Sequence, residues 1–93
     1  MNSINENLEN AIREALRTEE SRENLPIMLE NLQPYDLASI LPEFEKHEQL
    51  SLLSVLPANM VADALEYMEP VQQYWFLFHL GEPFAREVLN GMS

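Results

Sequence analysis

The sequence predicts an all-α fold of short helical hairpins stacked as a superhelical, armadillo-like solenoid. Three observations carry that expectation. Leu32, Leu56 and Leu80 recur every 24 residues, with a matching order of apolar and polar positions behind each. Five of the six prolines, Pro26, Pro34, Pro57, Pro70 and Pro83, stand just ahead of apolar runs at helical spacing, where the missing N–H costs no hydrogen bond. Leucine is the commonest apolar residue, β-branched residues are few and scattered, and glycine occurs twice, a balance that favours helix over sheet.

Taken in order, helices are expected near residues 4–18, 24–32, 34–41, 45–55, 57–68, 70–79 and 82–91. The first carries Ile4, Leu8, Ala11, Ile12, Ala15 and Leu16 at three- and four-residue spacings, an apolar stripe opposite Glu6, Glu9 and Arg13. Pro42 follows Leu37, Ile40 and Leu41 and interrupts any helix running through it, so it separates two short helices. Gly91 reads as a C-terminal helix stop.

A shift of 24 residues superposes Leu37-Ala38-Ser39-Ile40-Leu41 on Val61-Ala62-Asp63-Ala64-Leu65 and on Ala85-Arg86-Glu87-Val88-Leu89, and then Phe44 on Met68 and Met92. Each repeat holds two short helices, and neither buries its apolar face alone, so neighbours must stack. The expected organisation is one domain over residues 1–93, with an N-terminal amphipathic helix and turn over 1–23 and repeats over 24–93. The third repeat is only half complete. The chain therefore reads as part of a longer one, with Phe84, Val88 and Leu89 exposed on the last helix unless something caps them.

Composition narrows the function. The absence of cysteine excludes disulfides, thiolate metal sites and cysteine nucleophiles. No window approaches the ~20 apolar residues of a membrane span, and the N-terminus lacks the marks of a signal peptide. The isolated domain is expected not to insert into a membrane. Sixteen acidic residues against five basic ones give a net charge of −11, which opposes nucleic acid and anionic lipid and favours cations and basic partners. From charge alone, a merely soluble acidic surface stays open beside a cation-binding one.

No catalytic residues are expected: the chain has no GxSxG, GxGxxG or GxxxxGK[ST] pattern. His47 and His79 lack a Glu or His partner at the spacing of a helical zinc site, so His47 reads as solvated and His79 as a partly buried helix-end residue. Tyr74, Trp75, Phe76 and Phe78 read mainly as core, and Trp75 or Phe78 as a residue facing a partner. The repeat sets Asp63 and Glu87 at equivalent positions along one surface, with Ser39 in the corresponding earlier place. Hard divalent cations take such oxygen ligands and leave almost no sequence motif. Solvated helix-face charges and metal ligands are both open readings of this pair.

The run Leu32-Gln33-Pro34-Tyr35-Asp36-Leu37-Ala38, followed by Leu56-Pro57-Ala58-Asn59-Met60-Val61-Ala62-Asp63-Ala64-Leu65, resembles the N-terminal cytoplasmic domain of the MgtE family of magnesium channels and transporters. The likeness extends over residues 10–92 and includes Leu25-Pro26-Ile27-Met28-Leu29-Glu30. It implies a regulatory, magnesium-sensing domain that gates a pore by Mg2+-dependent docking on CBS modules. Those modules and the transmembrane pore belong to the same polypeptide. It also implies a homodimeric parent protein, with this domain at the cytoplasmic face of the cell membrane. Asp63 aligns with the family's outward-facing carboxylate and inherits a magnesium-contacting role, with Glu87 a second candidate by repeat equivalence. Mg2+ is the implied ion, held weakly or only together with the CBS partner. A free-standing helical-repeat adaptor is the alternative reading, and an acidic nucleic-acid mimic a third.

Overall fold

The computed structural model describes residues 3–92, with side chains described from residue 6 onward. Among these residues every regular element is a helix and there is no strand. The helices are α1 (Ser3–Ala15), α2 (Glu19–Arg22), α3 (Leu25–Met28), α4 (Pro34–Ile40), α5 (Lys46–Ser54), α6 (Ala58–Leu65), α7 (Pro70–Leu80) and α8 (Phe84–Gly91). A 3-10 turn at Leu41–Glu43 follows α4, and its Pro42 ends the helix as its missing donor requires.

The prolines act at helix starts in two ways. Pro34 and Pro70 are the first residues of α4 and α7, and Pro26 lies in the first turn of α3. Pro57 and Pro83 stand one residue earlier, as the caps of α6 and α8. One expectation is corrected here: the helix expected over 24–32 is shorter, and a separate α2 precedes it. Thr18 nucleates α2. Its side chain accepts from the Ser21 N–H while the Thr18 N–H donates to Ser21 Oγ, a reciprocal cap without any apolar periodicity to announce it.

The last helix ends at Gly91 as expected, and the two glycines end their helices in different ways. Gly91 lies inside α8 as its last residue, and a Cβ there would come within 3.2 Å of the Ala62 Cβ, so its smallness lets α8 approach α6. The turn-making glycine is Gly81, which ends α7 at φ 78° and ψ 160°, a conformation costly for any residue with a side chain.

Packing follows the 24-residue repeat. The first helices α4, α6 and α8 pack in sequence, α4 on α6 and α6 on α8, while the second helices α5 and α7 pack on each other. Such contacts between equivalent helices of successive hairpins are what stacked repeats produce. The core runs through both rows: Leu37, Leu52, Leu53, Val61, Leu65 and Val88 are buried, and α1 and α3 add Ile12, Leu25 and Leu29. Each such side chain contributes about 1.5–3 kcal/mol by leaving water. Leu8, Ile12, Ala15 and Leu16 of the expected α1 stripe pack inward, whereas Ala11 is exposed; the Ile4 side chain lies outside the described residues.

Two glutamines join the layers. Gln49 Nε2 donates to the carbonyls of Leu41 (2.7 Å) and Phe44 (3.0 Å). Gln73, 24 residues on, donates to Leu65 (2.7 Å) and Met68 (3.2 Å), which are themselves the repeat equivalents of Leu41 and Phe44. Each amide thus adds a second bond to a carbonyl that already accepts a turn N–H, Phe44 on Leu41 (3.0 Å) and Met68 on Leu65 (2.9 Å), and partners the carbonyl three residues further on, Phe44 or Met68.

A second correction concerns the exposed apolar surface. Val88 is fully buried and Phe84 half-buried, so of the three residues expected to be open on the last helix only Leu89 is exposed. The apolar stripe in solvent lies instead on α7, where Val71, Tyr74 and Phe78 are 75–80% exposed. The cause is that α8 packs on both α6 and α7, while the face of α7 that carries Val71, Tyr74 and Phe78 stays open among the described residues.

Candidate functional site

The carboxylates singled out in the sequence lie on the row of first helices. Asp63 is on α6 and Glu87 on α8, both exposed, each flanked by residues that pack inward: Val61, Ala62, Ala64 and Leu65 around Asp63, Ala85 and Val88 around Glu87. The inward packing of those neighbours turns Asp63 and Glu87 outward, because helical positions one or two residues apart leave the axis in different directions. Neither carboxylate makes a hydrogen bond or ion pair among the described residues. Ser39, their equivalent on α4, donates its hydroxyl back to the Tyr35 carbonyl (2.8 Å) and is occupied within its own helix.

Around the pair, Arg86 is drawn to Glu82 (3.2 Å) rather than to Glu87. Among the described residues, no three His, Asp or Glu side chains come together in a way that would hold a metal ion. A divalent cation at Asp63 or Glu87 would therefore meet one carboxylate from this surface and fill its other positions with water or with ligands from a facing surface. Mg2+ tolerates that arrangement, since it keeps several waters and is commonly bound through one or two carboxylates.

The histidines stand away from this row. His47 is exposed, as expected, with Nδ1 3.7 Å from Glu45. His79 is also exposed rather than partly buried: it stacks on Trp75 at 4.2 Å between ring centres and its Nδ1 lies 2.9 Å from the Trp75 carbonyl. Trp75 is half-buried under the Lys46 ammonium, 4.4 Å above the ring, so the aromatic run divides between core (Phe76), a covered side (Trp75) and solvent (Tyr74, Phe78). Between the hairpins lies an open groove of about 420 Å³ lined by Leu41, Phe44, Lys46, Gln49, Tyr67 and Phe76. Gln49 and Gln73 escaped the reading of the sequence, although their 24-residue separation was available as a signal. Polar residues at apolar-run positions are easily taken for surface.

Fold and surface together define a helical-repeat domain with an acidic outer face. The family model of the MgtE intracellular N domain matches residues 32–93, well over half of the chain, and the chain belongs to that family, the N-terminal domain of MgtE magnesium transporters. The match opens at Leu32, the residue that begins the 24-residue recurrence, so α1–α3 lie ahead of it and the likeness read over 10–92 is matched over its repeat portion. Comparison with curated proteins and with solved structures gives no match. The family is one of transporter domains rather than enzymes. Among the described residues no helix is long and apolar enough to cross a membrane.

Proposed function

We propose that the chain is the cytoplasmic, magnesium-sensing domain of an MgtE-type transporter, and that it gates the pore by Mg2+-dependent docking on CBS modules of the same polypeptide. The observation that carries this reading is the family match over residues 32–93, which contains both Asp63 and Glu87 on one row of stacked helices. The physics supports it. Two acidic surfaces repel until cations bridge them, so docking becomes coupled to ion concentration, and the ion and the partner each raise the other's affinity by the same factor. Carboxylates that stand outward without internal partners are free to share an ion with a facing surface. The parent protein is then a homodimer, with this domain at the cytoplasmic face of the membrane and no enzymatic role.

The test is a Mg2+ titration of the 93-residue chain followed by amide NMR, against Na+ at matched ionic strength and with Asp63→Asn and Glu87→Gln variants. Saturable shifts centred on Asp63 and Glu87, and lost in the variants, are expected. Shifts that Na+ reproduces, or that both variants retain, would remove Asp63 and Glu87 from the sensing surface. The stripe of Val71, Tyr74 and Phe78 favours the second reading, a free-standing helical-repeat adaptor that binds a partner through α7. That reading predicts Mg2+-independent binding, abolished by polar substitution on α7 and untouched by Asp63→Asn.

A further inference from the structure

Although the chain is strongly acidic, three of its five basic residues meet at one place. A surface cavity of about 310 Å³ between the end of α1, α2 and α5 is lined by Arg13, Arg17, Arg22, His47, Glu48 and Ser51, together with Leu16. Arg13 and Arg17 are four residues apart and so share a face of the chain at the end of α1. Arg22 comes from the short α2 that Thr18 and Ser21 cap, and His47 and Ser51 are four residues apart on α5. All three arginines precede the segment that matches the family, so this cavity is built where the N-terminal helices meet the repeat.

The internal partners of these groups leave a cationic opening. Glu48 is the one carboxylate in the lining, and it is already engaged: Oε1 accepts the Glu45 N–H (2.9 Å) and Oε2 faces Arg13 Nε at 3.9 Å. Arg13 is held further by its Nη2 bond to the Glu43 carbonyl (2.7 Å) and by its seat 4.6 Å over the Phe44 ring, so Arg13 and Glu48 largely cancel. Arg22 differs. Its Nε donates to the Leu16 carbonyl (3.1 Å), which fixes the half-buried guanidinium while its two terminal nitrogens have no partner among the described residues. Among the described residues Arg17 pairs with Glu14, at 3.5 Å, with both side chains 73% exposed, a pairing of the kind that contributes little and exchanges readily. A positioned guanidinium fork, a second guanidinium, an imidazole and a hydroxyl thus surround one cavity.

We propose that this cavity binds a phosphate-type oxyanion, as free phosphate or as the phosphoryl end of a small phosphomonoester. A guanidinium fork matches tetrahedral oxyanions through paired, charge-assisted hydrogen bonds, and a fork already fixed in place loses less freedom on binding. The net charge of −11 does not oppose it, because at physiological salt charges beyond about 8 Å are largely screened and a small anion responds to the cavity. A phosphate polymer, spread over the acidic face, would be repelled.

The 93-residue chain is titrated with inorganic phosphate, with glycerol 3-phosphate and with chloride at matched ionic strength, observed by NMR at the Ser51 amide, the His47 ring and the arginine Nε–H groups. Saturable shifts at these groups are expected with phosphate and absent with chloride. Arg17→Gln and Arg22→Gln each weaken binding by about tenfold, whereas Arg86→Gln, on α8, leaves it unchanged. Tighter binding of glycerol 3-phosphate assigns the site to a phosphomonoester, and equal or weaker binding assigns it to free phosphate. Shifts that chloride reproduces, or affinities unchanged in Arg17→Gln, overturn the proposal. Arg17→Gln decides the matter even if Arg22→Gln loosens the fold through its lost bond to Leu16, because among the described residues the exposed Arg17 side chain holds no backbone group.

Discussion

At the level of single residues, the glutamines show how a polar side chain comes to be inside a helical core. Gln49 is 7% exposed and donates to two carbonyls, of which Leu41 also accepts the Phe44 N–H while Phe44 is partnered through Gln49. Gln49→Leu therefore strands the Phe44 carbonyl and should lower stability by about 1–3 kcal/mol, measured by urea denaturation. Gln73→Leu should cost less, since Gln73 is only half-buried and water reaches the carbonyls it leaves. Asp63→Asn is the contrast: an exposed side chain without an internal partner should change stability by no more than about 0.5 kcal/mol, so any loss of Mg2+ response in that variant reports on binding rather than folding. The outward position of Asp63 was legible from the apolar residues around it. The inward position of Gln49 was not, because its burial depends on the Phe44 carbonyl that the turn after α4 leaves open.

Among the secondary-structure elements, the repeat was read correctly where period and proline agree, in α4 through α8, and misread where neither operates. The short α2 owes its existence to the Thr18–Ser21 cap, a local hydrogen-bond pattern rather than a hydrophobic one. Gly81 and Gly91 are told apart only by the folded chain, the first by its positive φ and the second by its close approach to Ala62. Gly81→Ala, at φ 78°, should destabilise by about 1 kcal/mol or more through backbone strain alone, since no atom lies within 4 Å of the added Cβ. The midpoint of urea unfolding should fall with its slope unchanged. On α7, Phe78 is 80% exposed, so Phe78→Ser should leave stability nearly unaltered while abolishing partner capture if the adaptor reading holds.

For the molecule as a body, charge is the dominant property. A net charge of −11 is carried on a body measuring 33 × 30 × 23 Å, so carboxylates repel one another across much of it at low salt. Raising ionic strength from about 0.01 M to about 0.15 M shortens the screening length from about 30 Å to about 8 Å and should raise the melting temperature. If Asp63 and Glu87 hold Mg2+, that ion should raise it further than Na+ at equal ionic strength, because an ion bound only by the folded state adds stability by mass action. Equal responses to the two ions would leave screening as the whole effect.

Helix content, the 24-residue recurrence, the helix starts marked by proline and the family were readable along the chain, because each rests on local spacing that a one-dimensional pattern preserves. The row formed by α4, α6 and α8 follows from that recurrence as well. Other features required the folded chain: the burial of Val88, the bare outer face of α7, and the meeting of Arg13, Arg17 and Arg22 with His47 and Ser51. Each depends on which helix covers which face. That choice is set by contacts between residues distant in sequence, such as Arg13 with Glu43, and periodicity within one segment carries no record of its neighbours.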